Sequence, residues 1–441
     1  MRLIVKRLSL GVIFALLVAL VLQAKFHVVE EHRLGGGYAL ASSPTFSWAD
    51  FQSGTFQPTL ERYLEDHIGF RPALVRLRNQ LAFSLFKVPR SSGILIGRHN
   101  VLFETLQAKS YGGYQLLDEA RVRSRAIRLR TVQQDLAKRG VQFLFVMAPN
   151  KARFQPEDLP AAMQIAPGTP SNYSRYIKAL QANAVNLLDM VPLFAAWKKT
   201  EPYPLFSRAG THWSGYGATL AADTLLRRLE QLGSLRFPTM RTVGPPVLVQ
   251  TTDSLRGNDN DLATPLNLLQ QTEPIPVAYR QLAFDPPRPG QTRPPALFVG
   301  DSFLWGLSQF SPYLTSCFAD DTRLWYYGMA VYLPDKAFTP TGLGCQDVDL
   351  QQQIESRQFI VLMITEHNLI KSEFGFTDRV YRLYHPYTPA ENVVIEQIAN
   401  KLITAETTQQ PDSAWAHQAQ AGYMAKIRAE AEDIYILQHR N

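Results

Sequence analysis

The stretch LFVGDSF, residues 297–303, places an apolar run directly before Gly300-Asp301-Ser302. A short apolar run bounded by a turn signal is typical of a buried strand, and we predict one from Ala296 to Gly300. In an open α/β sheet, the side chains that follow a strand lie at the edge where ligands bind. Ser302 is therefore a candidate nucleophile, although the same residues also occur in ordinary Asp-Ser turns and helix caps.

Similar short apolar runs alternate with helical patterns on both sides of this stretch. The predicted strands are residues 142–148, 185–190, 323–327 and 359–365, and the predicted helices are residues 115–139, 174–183, 215–232, 390–407 and about 414–437. Alternation of this kind favours an α/β layer fold with a mainly parallel sheet. Residues 235–295 are rich in Pro, Gly, Asn and Thr, and we predict an irregular insertion there.

The amino terminus has the pattern of a membrane signal. Arg2, Lys6 and Arg7 precede an apolar run from Leu8 to Leu22, as in a signal peptide or an uncleaved signal anchor. Both alternatives place the rest of the chain outside the cytoplasm, because positive charge stays inside. We predict a signal segment at residues 1–24, a linker at 25–45, one large domain at 46–407, and a terminal linker and helix at 408–441.

Charge and cysteine content restrict the classes of partner. The formal net charge is +7, which favours anionic partners such as acidic polysaccharides or membrane surfaces. The basic residues are scattered and no nucleic-acid-binding motif is present, so we expect no nucleic-acid partner. Cys317 and Cys345 are distant in sequence, so a disulfide and two buried thiols are both open. The acidic cluster at 258–261 lacks a calcium-loop pattern, and we predict no metal and no cofactor.

A histidine offers the base that a serine nucleophile needs. His212 lies in the loop GTHWSGYG, residues 210–217, just ahead of a predicted helix. Histidine is the usual base for an activated serine, and Trp213 and Tyr216 are candidates for stacking on a sugar ring. The alternative is a capping or core histidine beside a packing tryptophan.

These motifs belong to an ordered set that resembles the alginate O-acetyltransferase family typified by AlgJ and AlgX, across roughly residues 45–375. The segments that carry the resemblance are Tyr63–Arg71, Gly97–Phe103, Ala148–Lys151, Thr211–Trp213 and Gly300–Phe303. It implies an SGNH-hydrolase-like three-layer fold and acetyl transfer to an exopolysaccharide outside the cytoplasm. A membrane-bound O-acyltransferase partner would deliver the acetyl group, Ser302 would be acetylated, and His212 would be its base.

One position departs from the family pattern. The family usually carries Asp two residues before the histidine, where this chain has Gly210. Another carboxylate could orient the imidazole, with Asp259, Asp261 and Glu366 as candidates. Two further alternatives are a backbone carbonyl in a working dyad, and a loss of efficient catalysis.

The remaining site predictions concern the pocket and the class of activity. Asp301, Asn150 and Lys151 are predicted to line the pocket or the oxyanion site. An acetyl-esterase, and a non-catalytic polysaccharide-binding or assembly subunit of an export complex, are the alternatives to a transferase.

Overall fold

The computed structural model describes residues 2–37, 39–166, 168–270, 276–409 and 421–439. These residues form two compact units. The first combines Met1–Ile96 with Asp261–Glu273, and the second combines Gly97–Asn260 with Pro274–Asn441. Ser302 and His212 both belong to the second unit.

The first unit carries the apolar amino-terminal helix. Its regular elements are α1 Arg2–Phe26, α2 Trp48–Ser53, α3 Phe56–His67, α4 Arg71–Phe86 and β1 Ile94–Ile96. By length and composition the stretch Ile4–Phe26 could cross a membrane, and a signal sequence would meet the same criteria. Its length and composition fit the predicted anchor and the predicted cleaved signal alike.

Polar side chains fix the predicted linker within the first unit. Asp66 on α3 pairs with Arg71 at 2.8 Å and accepts a hydrogen bond of 2.9 Å from the backbone N–H of Ala41. The side chain of Asn267 bonds both the N–H and the carbonyl of Gly35, at 2.7 and 3.0 Å. The described residues between α1 and α2 thus lack regular structure but are held at two points.

The second unit is built on a seven-stranded sheet. Its strands are β3 Gln142–Ala148, β4 Leu187–Asp189, β7 Ala296–Gly300, β8 Arg323–Tyr326, β9 Ala330–Tyr332, β10 Pro340–Gly344 and β11 Phe359–Thr365. The strand order is β10-β9-β8-β7-β11-β3-β4. The run from β8 to β4 is parallel, and β9 and β10 extend it in antiparallel fashion. The predicted mainly parallel sheet is confirmed.

The remaining elements of the second unit are mostly helices. They are β2 Leu102–Glu104, α5 Thr105–Tyr111, α6 Glu119–Lys138, α7 Lys151–Phe154, α8 Asn172–Ala182, α9 Met190–Thr200, α10 Gly215–Gly233, β5 Met240–Val249, β6 Val277–Phe284, α11 Gly306–Gln309, α12 Tyr313–Cys317, α13 Leu350–Glu355, α14 Phe376–Tyr384, α15 Pro389–Gln409 and α16 Ala421–His439.

Helices cover both faces of the sheet because alternate strand residues point to opposite sides. On one face, Leu144 and Phe298 pack in a cluster that includes Leu225 of α10. On the other face, Phe145 and Val299 pack in a cluster that includes residues of α6, α8 and α14. The result is a three-layer α/β/α arrangement with two apolar cores, as the resemblance implied.

The irregular insertion predicted at 235–295 is wrong at residues 240–249 and 277–284, which form strands. Residues of β5 and β6 pair as an antiparallel ribbon, from Met240 opposite Phe284 to Val249 opposite Val277. Gly244, Pro245 and Pro246 lie inside β5, and the register shifts there. These residues oppose strand formation, which is why composition alone indicated a loop.

Ion pairs hold the last described helix, α16, against α6 and α14. Arg128 on α6 is buried and pairs with Asp378 on α14 and with Asp433 on α16. Glu432 of α16 also pairs with Arg382 at 2.7 Å. The predicted docking helix thus begins at Ala421 in the described chain, and the linker predicted before it lies largely outside the described residues.

Candidate active site

Ser302 lies at the carboxyl edge of the sheet, directly after β7. Gly300 ends the strand, and a Cβ at this position would be 2.2 Å from the carbonyl oxygen of Met363, so only glycine fits. Asp301 then caps a single helical turn, Ser302–Trp305, by accepting a hydrogen bond of 3.1 Å from the N–H of Phe303. The backbone thus turns sharply after β7, and Ser302 is the first residue of the helical turn.

Asp301 ties the end of β7 to the end of β11. Its Oδ2 accepts hydrogen bonds from the N–H of Thr365 at 2.8 Å, from Thr365 Oγ1 at 2.6 Å and from Asn368 Nδ2 at 2.8 Å. Its Oδ1 accepts from Phe303, so both oxygens of this side chain face donors and act as acceptors, with no donor turned to an oxyanion. The structure therefore places Asp301 as a positioning residue for Ser302.

His212 is within hydrogen-bond distance of the serine. Its Nε2 lies 2.7 Å from Ser302 Oγ, and its ring packs 4.9 Å, centroid to centroid, from that of Phe303. The next residues begin α10, where Ser214 accepts a hydrogen bond from the N–H of Gly217. A base at this distance can remove the hydroxyl proton as the oxygen attacks a carbonyl.

The two aromatic residues after His212 do not reach a ligand. Trp213 is fully buried, with its ring against those of Phe194 and Phe303. Tyr216 is also buried, and its hydroxyl donates to Glu201 Oε2 at 2.6 Å. The predicted sugar-stacking role is therefore wrong, because protein side chains already cover both rings.

The space beside Gly210 explains the departure from the family pattern. A Cβ at Gly210 would be 2.5 Å from the carbonyl oxygen of Asn258 and 2.9 Å from Ser207 Oγ. Such distances are shorter than real Cβ contacts, so an aspartate cannot occupy this position without moving the 258–259 backbone. An orienting acid, if the site has one, must come from elsewhere in the chain.

Two of the three predicted orienting acids have other partners. Asp259 is buried, and its Oδ2 accepts from the N–H of Gly215 at 3.2 Å and from the hydroxyl of Tyr279 at 2.8 Å. Glu366 makes a two-point ion pair with Arg153, with N–O distances of 2.8 and 2.6 Å. Asp261 belongs to the first unit, and its role stays a prediction from the sequence.

Asn150 and Lys151, predicted for the pocket, make hydrogen bonds to backbone. Asn150 caps α7 and donates to the carbonyl of Gln107 at 2.9 Å. Lys151 is fully buried, and its Nζ donates to the carbonyl oxygens of Leu102, Ser207 and Gly210 at 2.7, 2.7 and 2.6 Å. The ammonium group therefore fixes the loop that leads to His212.

A cavity of about 110 Å³ lies next to residues that follow β8 and β11 at the sheet edge. Its lining includes Glu104, Tyr327, His367, Asn368 and Lys371. Burial and the charge of Asp301 raise the pKa of Tyr327 to about 12, while hydrogen-bond interactions with Ser302 and Asn368 oppose the rise. The phenol is therefore neutral and able to donate near the nucleophile.

Sequence reasoning did not assign a functional role to Tyr327 or His367. The available signal was position, because Tyr327 follows β8 and His367 follows β11, at the same edge as Ser302. Tyr327 also has a left-handed backbone with φ of 50°, which is unusual for an aromatic residue and more frequent at functional sites.

The two cysteines are buried free thiols, which decides between the two alternatives left open by the sequence. Burial is the main reason that the pKa of Cys317 and that of Cys345 are each raised to about 12. Within the described ranges, no group of three or more His, Cys, Asp and Glu side chains is arranged to hold a metal ion.

Comparison with known proteins identifies a matching family and several relatives. The model of the family described as SGNH hydrolase-like domain, acetyltransferase AlgX, matches residues 94–321, which include His212 and Ser302. The chain is 27% identical over 215 residues to the probable alginate O-acetylase AlgJ of Pseudomonas aeruginosa, covering 47% of this chain and 51% of that protein. It is 25% identical over 207 residues to the protein of the same description from Azotobacter vinelandii, with coverages of 45% and 50%.

The chain thus spans about half the length of these relatives. Among solved structures, the O-acetyltransferase domain of Pseudomonas putida AlgJ is similar with a TM-score of 0.42 and 17% identity, covering 65% of this chain and 99% of that one. Pseudomonas aeruginosa AlgX is similar with a TM-score of 0.42 and 13% identity, with coverages of 67% and 71%.

Proposed function

This chain belongs to the AlgX family of SGNH hydrolase-like acetyltransferases, and from that premise we propose that it transfers acetyl groups to a polysaccharide through an acyl intermediate on Ser302. The observation that carries the proposal is the 2.7 Å distance between Ser302 Oγ and His212 Nε2. A serine is a weak nucleophile without a base at such a distance.

The reaction proceeds in two half-reactions. Ser302 Oγ attacks the carbonyl carbon of an acetyl donor while His212 Nε2 takes the hydroxyl proton. The donor's leaving group then departs with that proton, and an acetyl ester remains on Ser302. A sugar hydroxyl attacks this ester, gives its proton to His212, and leaves as the acetylated sugar while Oγ recovers the proton.

The acid that orients His212 belongs to the same proposal. Of the three candidate carboxylates, Asp259 and Glu366 are engaged with other groups. On sequence grounds we propose Asp261 for this role, and Asp259 and Glu366 stay candidates beside it. A backbone carbonyl that orients the ring in a dyad is the alternative.

The names of the relatives support an alginate-like acceptor, and the net charge of +7 suits an anionic polymer. A membrane-bound O-acyltransferase would supply the acetyl group. The catalytic unit would work outside the cytoplasm, held at the inner membrane by α1 if that segment is not cleaved.

Intact-mass analysis of the full chain after incubation with an activated acetyl ester tests the proposal. An acetyl adduct on the wild type and none on Ser302→Ala supports a covalent acyl-serine. A folded wild-type protein that never forms the adduct contradicts it and favours a binding or assembly role. Release of free acetate alone, with and without acceptor sugars, indicates an esterase, because water competes for the same ester.

A further inference from the structure

His367 is a second histidine at the catalytic edge that the proposed reaction does not use. It follows β11 and lines the 110 Å³ cavity together with Glu104, Tyr327 and Lys371. A cavity of this size holds several water molecules, or the hydroxyl groups and nearby ring atoms of a sugar. The polar lining matches such a group better than an apolar one.

Three residues that line the cavity contact Ser302 or the residue that precedes Ser302 or His212 in the sequence. Tyr327 interacts with Ser302, and Asn368 donates to Asp301 at 2.8 Å. Glu104 accepts a long hydrogen bond of 3.4 Å from Thr211, the residue before His212. The cavity therefore adjoins the place where the acetyl group would be held.

The hydrogen bonds around Thr365 determine which nitrogen of His367 carries its proton. Thr365 Oγ1 lies 2.6 Å from Asp301 Oδ2 and carries a single proton, which it donates to that oxygen. Asp301 Oδ2 also accepts a hydrogen bond from the backbone N–H of Thr365, which marks it as an acceptor. His367 Nδ1, at 3.1 Å from the same Oγ1, must therefore donate to it. The imidazole is protonated on Nδ1, and Nε2 carries a lone pair.

That lone pair is available to a ligand. Among the residues that the structure describes, none makes a hydrogen bond to Nε2 of His367. Burial lowers the pKa of His367 below its ordinary value. Of the neighbouring charges, Glu104 and Asp301 oppose this change, and Lys371 and His212 add to it. The ring thus stays neutral near pH 7.

We propose that His367 holds the acceptor: its Nε2 accepts a hydrogen bond from a hydroxyl of the sugar that attacks acyl-Ser302. This inference rests on the proposed function. The attacking hydroxyl still gives its proton to His212, and no bond is made or broken at His367. Glu104 and Lys371, also in the cavity lining, supply an acceptor and a donor for the other polar atoms of the same sugar.

Measuring the two half-reactions separately distinguishes acceptor binding by His367 from a structural role, because only acceptor binding affects the second half-reaction alone. His367→Asn retains a side-chain N–H near the Nδ1 position for Thr365 but removes Nε2, while His367→Gln places a polar atom near Nε2. For the full chain, we expect the Asn variant to be acetylated on Ser302 by an activated ester as fast as the wild type. Loss of one neutral hydrogen bond should lower transfer to mannuronate oligosaccharides about 3- to 10-fold through a higher KM. The Gln variant should recover part of the loss.

A matched control is His99→Asn, since the His99 side chain is exposed and asparagine tolerates its left-handed φ of 54°. The inference is overturned if His367→Asn transfers acetyl groups as fast as the wild type. It is also overturned if the oligosaccharide does not accelerate the deacylation of the acylated wild type. Equal loss of acylation and transfer in the Asn variant also overturns it, because the role is then structural. A wild type that forms no acyl-enzyme instead removes the proposed function itself.

Discussion

Nζ of Lys151 lies 2.6 Å from the carbonyl oxygen of Gly210, two residues before the histidine that contacts Ser302. A buried cation at the end of β3 therefore fixes the loop in which the family usually carries its aspartate. Carbonyl groups of Leu102 and Ser207 complete the arrangement. The position of His212 therefore depends on a lysine that is distant in sequence. The side chain of this lysine donates to backbone carbonyl oxygens of the loop.

Replacing Lys151 by methionine should destabilise the protein. The change leaves three buried carbonyl groups without their donor, which we expect to lower the free energy of unfolding by about 2–5 kcal/mol. Urea unfolding measures the effect, and Lys178→Met, at an exposed position on α8, is the control. Equal stability of both variants would show that the Lys151 hydrogen bonds contribute nothing net.

Restoring the family aspartate at position 210 should not improve the enzyme. Because the new Cβ would lie 2.5 Å from Asn258 O, both Gly210→Asp and Gly210→Ala should lose stability and slow the acylation of Ser302. Gly37→Ala, at a position with open space around the Cβ, is the control for the loss of a glycine. Faster acylation in Gly210→Asp would contradict the steric explanation.

The three candidate acids should separate into two classes. Asp259→Asn and Glu366→Gln should mainly lower the melting temperature, because their carboxylates hold Gly215, Tyr279 and Arg153. Asp261→Asn should slow acylation by about 10³- to 10⁴-fold, the scale of losing a triad acid. Wild-type acylation in Asp261→Asn would favour the dyad.

The thiols should be inert in the folded protein. Because burial raises the pKa of Cys317 and of Cys345 to about 12, little thiolate exists at pH 8. Iodoacetamide should label both only after denaturation, and a reducing agent should leave the melting temperature unchanged. Finding no free thiol in denatured, unreduced protein would instead reveal a disulfide.

Glu373 should make stability depend on pH. Burial raises the pKa of this carboxyl to about 7, against the opposing charge of Arg125. Between its unfolded pKa and pH 7, the folded state holds a proton that the unfolded state has lost, so stability falls as pH rises through this window. The fall should be on the order of 2–3 kcal/mol. Glu373→Gln should remove this component, which denaturant unfolding at pH 5 and pH 7 measures, and an unchanged slope would contradict it.

The parallel strands and the Ser302–His212 pair could be read from the sequence. Strands β3, β7 and β11 have the predicted bounds, because each is a continuous apolar run that glycine, proline or a polar residue ends. Serine and histidine then follow from chemistry, since a serine needs a base. Each local pattern alone also fits a turn or a core histidine, and the ordered set of motifs in the family resemblance is what pairs the two residues.

The features that the sequence did not predict depend on distant contacts. The burial of Trp213 requires Phe194 and Phe303, which no local pattern relates to it. The ribbon of β5 and β6 forms despite glycine and proline, because pairing outweighs propensity there. The protonated nitrogen of His367 follows only from the single proton of Thr365.

The ion pair between Arg128 on α6 and Asp433 on α16 also makes the folding of this face depend on the synthesis of α16. Synthesis proceeds from the amino end, so Arg128 emerges long before Asp433, its partner 305 residues later. Until that carboxylate arrives, the helix layer around α6 has a buried cation only partly neutralised, which is costly. A product that stops before α16 is therefore expected to leave this face uncovered and to be cut by proteases, while a chain that includes α16 resists them.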